Sequence, residues 1–220
     1  MNITVKTGDL LHESSDLAIL AVFEDMPLPD NVAGILEPAD FRGRAQQTLL
    51  LYPRGAVAPR RLLLVGLGQR DKLTTETIRQ AAATAVQQAR AVQVPAVTIG
   101  IHGDVPLPAQ TTAQAFAEGL ELGAYRYWPY RTGLTTEETF EVERATVVTG
   151  DSEEPIRQGI GHGQIIGRAV TYARDLVNHP GYALTPAVLG EQAIALGQRL
   201  GLQVKVLDKT QLTEHGFGGI

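Results

Sequence analysis

No cysteine occurs among the 220 residues, which excludes disulfides, thiolate metal sites and a cysteine nucleophile. Basic clusters are also missing. The densest spots are Arg42/Arg44 and Arg60/Arg61, both too short for a nucleic-acid stripe, and the net charge is −5. The opening "MNITVKTGDL" lacks a basic segment followed by an apolar one, so no signal peptide is visible. No apolar run approaches the roughly 18 residues of a membrane span. These absences leave a cytoplasmic chain with no nucleic-acid or membrane partner as the expectation.

Catalytic patterns are missing as well. His12, His102, His162, His179 and His215 include no i, i+4 pair and no HExxH pattern, and no serine sits in a GxSxG elbow. The adjacent carboxylate pairs Glu24/Asp25, Glu137/Glu138 and Glu153/Glu154 do not chelate together by default. Glu118 and Glu121 share a helix face, which reads as solvated. The residues therefore yield no catalytic, cofactor-binding or metal-binding position.

What is present is an alternation of strands and helices. Hydrophobic residues make up 44% and charged residues 20%, ordinary for a globular protein. Residues 2–6 alternate as a strand, while "DLAILAVF" (16–23) and "RLLLVGLG" (61–68) are apolar throughout, as strands buried on both faces are. Another strand falls at 47–52. Residues 74–93 form an amphipathic helix capped by Thr74, followed by the strand "AVTIGI" (96–101), a helix over 110–125 and the strand "TFEVERATVVT" (139–149). A long helix covers 153–177. Thr185 and Pro186 then start another helix, and "LQVKVLD" (202–208) reads as a strand.

Two glycine-rich runs invite a nucleotide reading. "GLGQRD" (66–71) stands between a strand and a helix, but Asp71 replaces the third glycine of a dinucleotide fingerprint, so a tight turn is expected. "GIGHGQIIG" (159–167) lies inside a helical pattern, where small residues allow close helix packing.

From residue 172 the sequence resembles the leucyl aminopeptidase family of dinuclear metallopeptidases, at the entry to the catalytic domain. The matching elements are Arg174-Asp175-Leu176-Val177-Asn178, Pro180, Leu184-Thr185-Pro186, Val206-Leu207-Asp208 and Gly216-Phe217-Gly218-Gly219. The family usually has Met where Phe217 stands and Asn near Tyr182. "LLLVGLGQRD", "AAATAVQQAR" and "AEGLELGAYRYWPYRT" extend the likeness diffusely upstream.

The resemblance implies an α/β fold: a macro-like, mixed but mostly parallel sheet with helices on both faces, then a linker helix and the start of a second α/β domain. The expected divisions are 1–150 for the macro-like domain, 151–180 for the linker helix and hinge, and 181–220 for a truncated beginning of the peptidase domain. The implied function is the non-catalytic scaffold or assembly portion of a cytosolic enzyme that removes N-terminal residues from peptides. In the family two divalent metals, zinc or manganese, activate a bridging water, and the assembly is usually a homo-hexamer. The signature Asn-Thr-Asp-Ala-Glu-Gly-Arg-Leu occurs nowhere in these residues, so no metal ligand is assigned. This chain alone is expected to be inactive, its partner being a catalytic domain of the same polypeptide.

The alternative is a stand-alone macro-type module binding an ADP-ribose-like nucleotide. "NVAGIL" (31–36) and "GAYRY" (123–127) resemble the phosphate loops of macro domains, whereas Glu24/Asp25 would repel a diphosphate.

Overall fold

A computed structural model describes residues 1–101 and 103–219 and divides into two compact units, Met1–Tyr172 and Ala173–Ile220. His102 lies outside the described residues.

The first unit is built on strands β1 (Asn2–Thr7), β2 (Ala18–Val22), β3 (Thr48–Leu51), β4 (Leu62–Gly66), β5 (Ala96–Ile101) and β6 (Arg144–Thr149). They form one sheet in the order β1-β6-β5-β2-β4-β3. Every pairing is parallel except β3 with β4, which run antiparallel with Thr48 opposite Val65. The apolar runs fall on β2 and β4, where all five residues of each strand are buried. Burial on both faces is what a sheet covered on two sides demands. Ile19 and Ala21 of β2 face one cluster, Ala18, Leu20 and Val22 the other, as strand alternation requires.

The two faces are covered unequally. Helices α2 (Thr75–Ala91), α3 (Ala109–Ala124) and the first half of α4 (Glu153–Asn178) share one core with Ile19, Leu63, Val65 and Ile99. The opposite core is closed by the short helix α1 (Asp30–Ala33), a 3₁₀ turn at Leu10–His12 and the residues around Phe41 and Val57. The Thr74 hydroxyl accepts the N–H of Thr77, giving α2 its N-cap.

Glycine decides how closely the helices pack. Gly159, Gly163 and Gly167 lie four apart and so share one ridge of α4. A Cβ at Gly159 would stand 2.2 Å from the Gln110 carbonyl oxygen, and one at Gly163 2.4 Å from that of Gln114. The glycine-rich run at 159–167 is thus the contact between α4 and α3. Gly161, on the outer side of the helix, has nothing within 4 Å.

The second unit holds α5 (Pro186–Leu200) and α6 (Lys209–Glu214). Thr185 caps α5 by accepting the N–H of Val188, and Gly201, at φ +69°, ends it. Asp208 and Gln211 form a reciprocal capping box on α6. Residues 202–208, expected as a strand, form none: among the described residues no neighbouring strand supplies a hydrogen-bonding ladder. The segment instead folds back on α5, where the Val204 and Val206 side chains cover Gly197 and Gly190. No described helix is long and apolar enough to cross a membrane.

Candidate functional site

In an open, mostly parallel sheet, ligands collect outside the carboxyl ends of the strands, where neighbouring strands send their connections in opposite directions. Here β2 leads toward β4 and β5 toward β6, and β2 and β5 are adjacent. A cavity of about 560 Å³ opens at that edge of the first unit. Its wall is apolar, with Leu10, Leu20, Ile99, Phe116, Val148 and Ile156 among the lining residues.

Polar groups line it from the loops after β1, β5 and β6 and from the start of α3. Asp9, Asp104 and Asp151 line the cavity just beyond β1, β5 and β6. Thr7 pairs with Thr149 across β1 and β6, so Asp9 and Asp151 follow that pair at equal offsets. The Asp9 carboxylate accepts the N–H of Leu11 at 2.9 Å and meets the His12 ring at 2.9 Å. The Leu11 bond first, then His12, holds its carboxyl below the usual 3.8. Asp104 pairs with Arg70 at 2.5 Å. No basic side chain is among the described lining residues.

The start of α3 borders the cavity as well. Its N-cap, Pro108, supplies no side-chain cap, so the first N–H groups of the helix keep their partial positive charge. Ala109, Thr112, Ala113 and Phe116 of this helix line the cavity. Thr112 is 8% exposed, and its hydroxyl is buried without a hydrogen-bond partner among the described residues. Leaving such a group unsatisfied costs about 1–3 kcal/mol. The sequence carried a signal for this edge: Thr7-Gly8-Asp9 and Thr149-Gly150-Asp151 are the same triplet after two strands, and Gly103-Asp104 follows a third.

The other sequence candidates fall elsewhere. In "GLGQRD", Gly66 is needed because a Cβ there would stand 1.9 Å from the Arg44 carbonyl oxygen, and Gly68 has φ +75°. The Arg70 N–H, where a phosphate oxygen would have to bind, is donated to Asp25. Glu24 lies 3.8 Å from Arg44. Neither "NVAGIL" nor "GAYRY" lines the cavity, and "GAYRY" ends α3, roughly 24 Å along the helix from Ala109.

Glu118 and Glu121 correct the reading of a solvated face. They are 4% and 8% exposed. Glu118 bonds Arg79 of α2 at 2.5 Å and Gln114 at 2.9 Å, and the Arg79 guanidinium is held above its usual value chiefly by that bond. Glu121 accepts from Gln164 at 3.3 Å. Arg79 and Gln164 lie tens of residues away, so helical spacing alone misassigned the face. Among the described residues no group of three or more His, Cys, Asp or Glu could hold a metal ion.

Residues 12–133 match the model of the cytosol aminopeptidase family, N-terminal domain. The chain belongs to this family. It is 39% identical over 221 residues to a probable cytosol aminopeptidase of Roseiflexus castenholzii, covering 100% of this chain and 45% of that one. A second probable cytosol aminopeptidase, from a Geobacter strain, is 30% identical, with 100% and 46% covered. The chain thus spans about half the length of the curated relatives it matches. Among solved structures, the bottromycin maturation enzyme BotP in complex with Mn superposes with a TM-score of 0.76 at 27% identity, covering 94% of this chain and 41% of that one. A tomato leucine aminopeptidase mutant shares the fold at a TM-score of 0.82 and 22% identity, with 97% and 46% covered.

Proposed function

We propose that this chain is the N-terminal, non-catalytic portion of a cytosolic leucyl aminopeptidase, acting as scaffold and assembly element for an enzyme that removes N-terminal residues from peptides. The observation that carries the reading is the 39% identity to a cytosol aminopeptidase along the whole chain, against less than half of that relative's length. The divisions at 1–150, 151–180 and 181–220 belong to the same proposal.

Family members of this kind use two divalent metals, zinc or manganese, to polarise a peptide carbonyl and activate water. The described residues of this chain do not fit such a pair of ions, because they bring no three candidate ligands together. Catalysis on this reading needs a catalytic domain of the same polypeptide, in a homo-oligomer that is hexameric as in the family.

The test is a leucine-anilide assay with added manganese or zinc. It compares the 220-residue chain with a chimera carrying the remaining half of the Roseiflexus relative. Metal-dependent turnover by the chimera and none by the short chain is expected. Turnover by the short chain, once contaminating peptidases are removed, would overturn the proposal.

A further inference from the structure

The sheet of the first unit has two lateral edges, and they are finished differently. At β1 the outward backbone groups are taken by α4. Glu153 accepts the Thr7 N–H at 2.7 Å, Arg157 donates to the Val5 carbonyl at 3.3 Å, and Gln164 donates to that of Met1 at 3.2 Å. These side chains close the edge to a further strand.

The β3 edge has no such cover. Gly66 donates to the Gln47 carbonyl at 2.8 Å, and the register runs from Thr48 opposite Val65 to Leu51 opposite Leu62. The alternation of an antiparallel ladder then turns the N–H and C=O of Leu49 and Leu51 toward β4, and those of Thr48, Leu50 and Tyr52 away from it. β3 is the last strand of the sheet, and no described group bonds those outward N–H groups. All four strand residues are half-buried, and Tyr52 is 61% exposed. No charged residue and no proline occurs from Ala45 through Tyr52 to discourage pairing. A bulge of Gln46 and Gln47 opposite Gly66 on one side, and Pro53 on the other, limit the open stretch to residues 48–52.

Such an edge is self-complementary. Each outward residue carries one donor and one acceptor, and the stretch bears no charge to repel its own copy. A second copy also brings that stretch already extended, whereas a free peptide would have to be ordered on binding. We propose that two copies of this chain pair their β3 strands antiparallel about a two-fold axis at Leu50, joining the two sheets into one. Leu50 then opposes its own counterpart, and Thr48 opposes the counterpart of Tyr52. Each pair exchanges both of its backbone hydrogen bonds. Because α4 closes the β1 edge, the assembly stops at two copies. The contact is short and smaller than a standard stable interface, so the dissociation constant is on the order of 100 μM. The inference stands on the sheet edge and not on the aminopeptidase reading.

Sedimentation equilibrium of the 220-residue chain, from about 5 μM to about 1 mM, tests this and should show a monomer–dimer equilibrium. Two double variants address the register. Thr48→Lys with Tyr52→Lys sets like charges opposite each other and should weaken association about tenfold. Thr48→Lys with Tyr52→Glu sets opposite charges there and should keep association within about threefold of the unaltered chain. Amide exchange of the unaltered chain is a second readout, and it decides if either variant melts lower. The Leu50 amide should exchange about fivefold more slowly at the highest concentration, while the Thr7 amide, already held by Glu153, should not change. A monomer throughout the range, equal association of two stably folded double variants, or Leu50 exchange independent of concentration would each overturn the proposal. A chimera that hydrolyses leucine-anilide while assembling through other surfaces would overturn it too, and would leave the aminopeptidase reading standing.

Discussion

The two units start from similar local patterns and end with different amounts of buried surface. In the first, an apolar strand, a capped amphipathic helix and the next strand close on each other, and Leu62, Leu64 and Ala82 are fully buried. In the second, α5 is well capped and α6 carries a capping box, yet Gly197 is the single buried position among its described residues. Leu189, Ile194, Leu200, Leu202, Val204 and Val206 stay between 41% and 59% exposed. Caps and periodicity therefore specify elements, while burial specifies stability, and each CH₂ left in water forgoes about 0.8 kcal/mol.

The sharpest way to break this contrast is to place the same charge in both units. Leu64→Asp puts a carboxylate at 0% exposure in a strand flanked on both sides, within a cluster of buried apolar side chains. Folding of the first unit should be lost, as an aggregated chain or one without a cooperative melting transition. Leu202→Asp, at 59% exposure, should change stability by no more than about 0.5 kcal/mol. A soluble Leu64→Asp variant with an unchanged transition would mean the core lies elsewhere.

Hydrogen exchange probes the same difference without mutation. Amides of β2 and β4 should open only with the whole first unit, whereas those of α5 should exchange roughly a hundredfold faster through local opening. Equal protection in the two units would show that burial is a poor guide to stability here.

A smaller effect separates two faces of one helix. Gly163→Ala drives a Cβ toward the Gln114 carbonyl oxygen at 2.4 Å, so α4 must move off α3. The cost should be about 2 kcal/mol, or a melting temperature lower by roughly 4–8 °C. Gly161→Ala meets open space and should gain about 0.5–1 kcal/mol by removing glycine from a helix interior. Equal effects of the two substitutions in a melting experiment would deny the glycine ridge its role.

Much of the first unit was legible in the sequence because its strongest signals report burial directly. Uninterrupted apolar runs at 18–22 and 62–66 suit strands covered on both faces, since a strand with one wet face would alternate. The glycine run inside a helical pattern required a close neighbour. Other features depend on partners remote in sequence. Glu118 looks like any surface glutamate until Arg79, 39 residues earlier, is brought beside it. Residues 202–208 have the composition of a strand, but a strand exists only as half of a pair. The cavity is hard to read from sequence on similar grounds. Its carboxylates come from three loops more than 40 residues apart.

Acid should act on the first unit through named groups, with the smallest effect of the series. Glu153, in the opening turn of α4, bonds the Arg157 guanidinium and both the hydroxyl and N–H of Thr7, at the end of β1. The Arg157 bond first, then those from Thr7, holds its carboxyl below the usual 4.5. The Thr135 N–H, then its hydroxyl, does the same for Glu138, and Leu11, then His12, for Asp9 below 3.8. A carboxyl depressed in the folded state binds fewer protons there than in the unfolded chain. Its contribution is therefore complete above the unfolded value and disappears as pH falls through the folded one. The first unit's melting temperature should hold down to about pH 5 and decline as pH drops past 4.5 and then 3.8. Glu153 lies at the surface beside a half-exposed Arg157, so solvent screens its bonds and its share of the decline is modest. Glu153→Gln should flatten the upper part of that decline while lowering stability slightly at neutral pH. An unchanged pH profile in this variant would show that the tie between β1 and α4 contributes nothing to acid sensitivity.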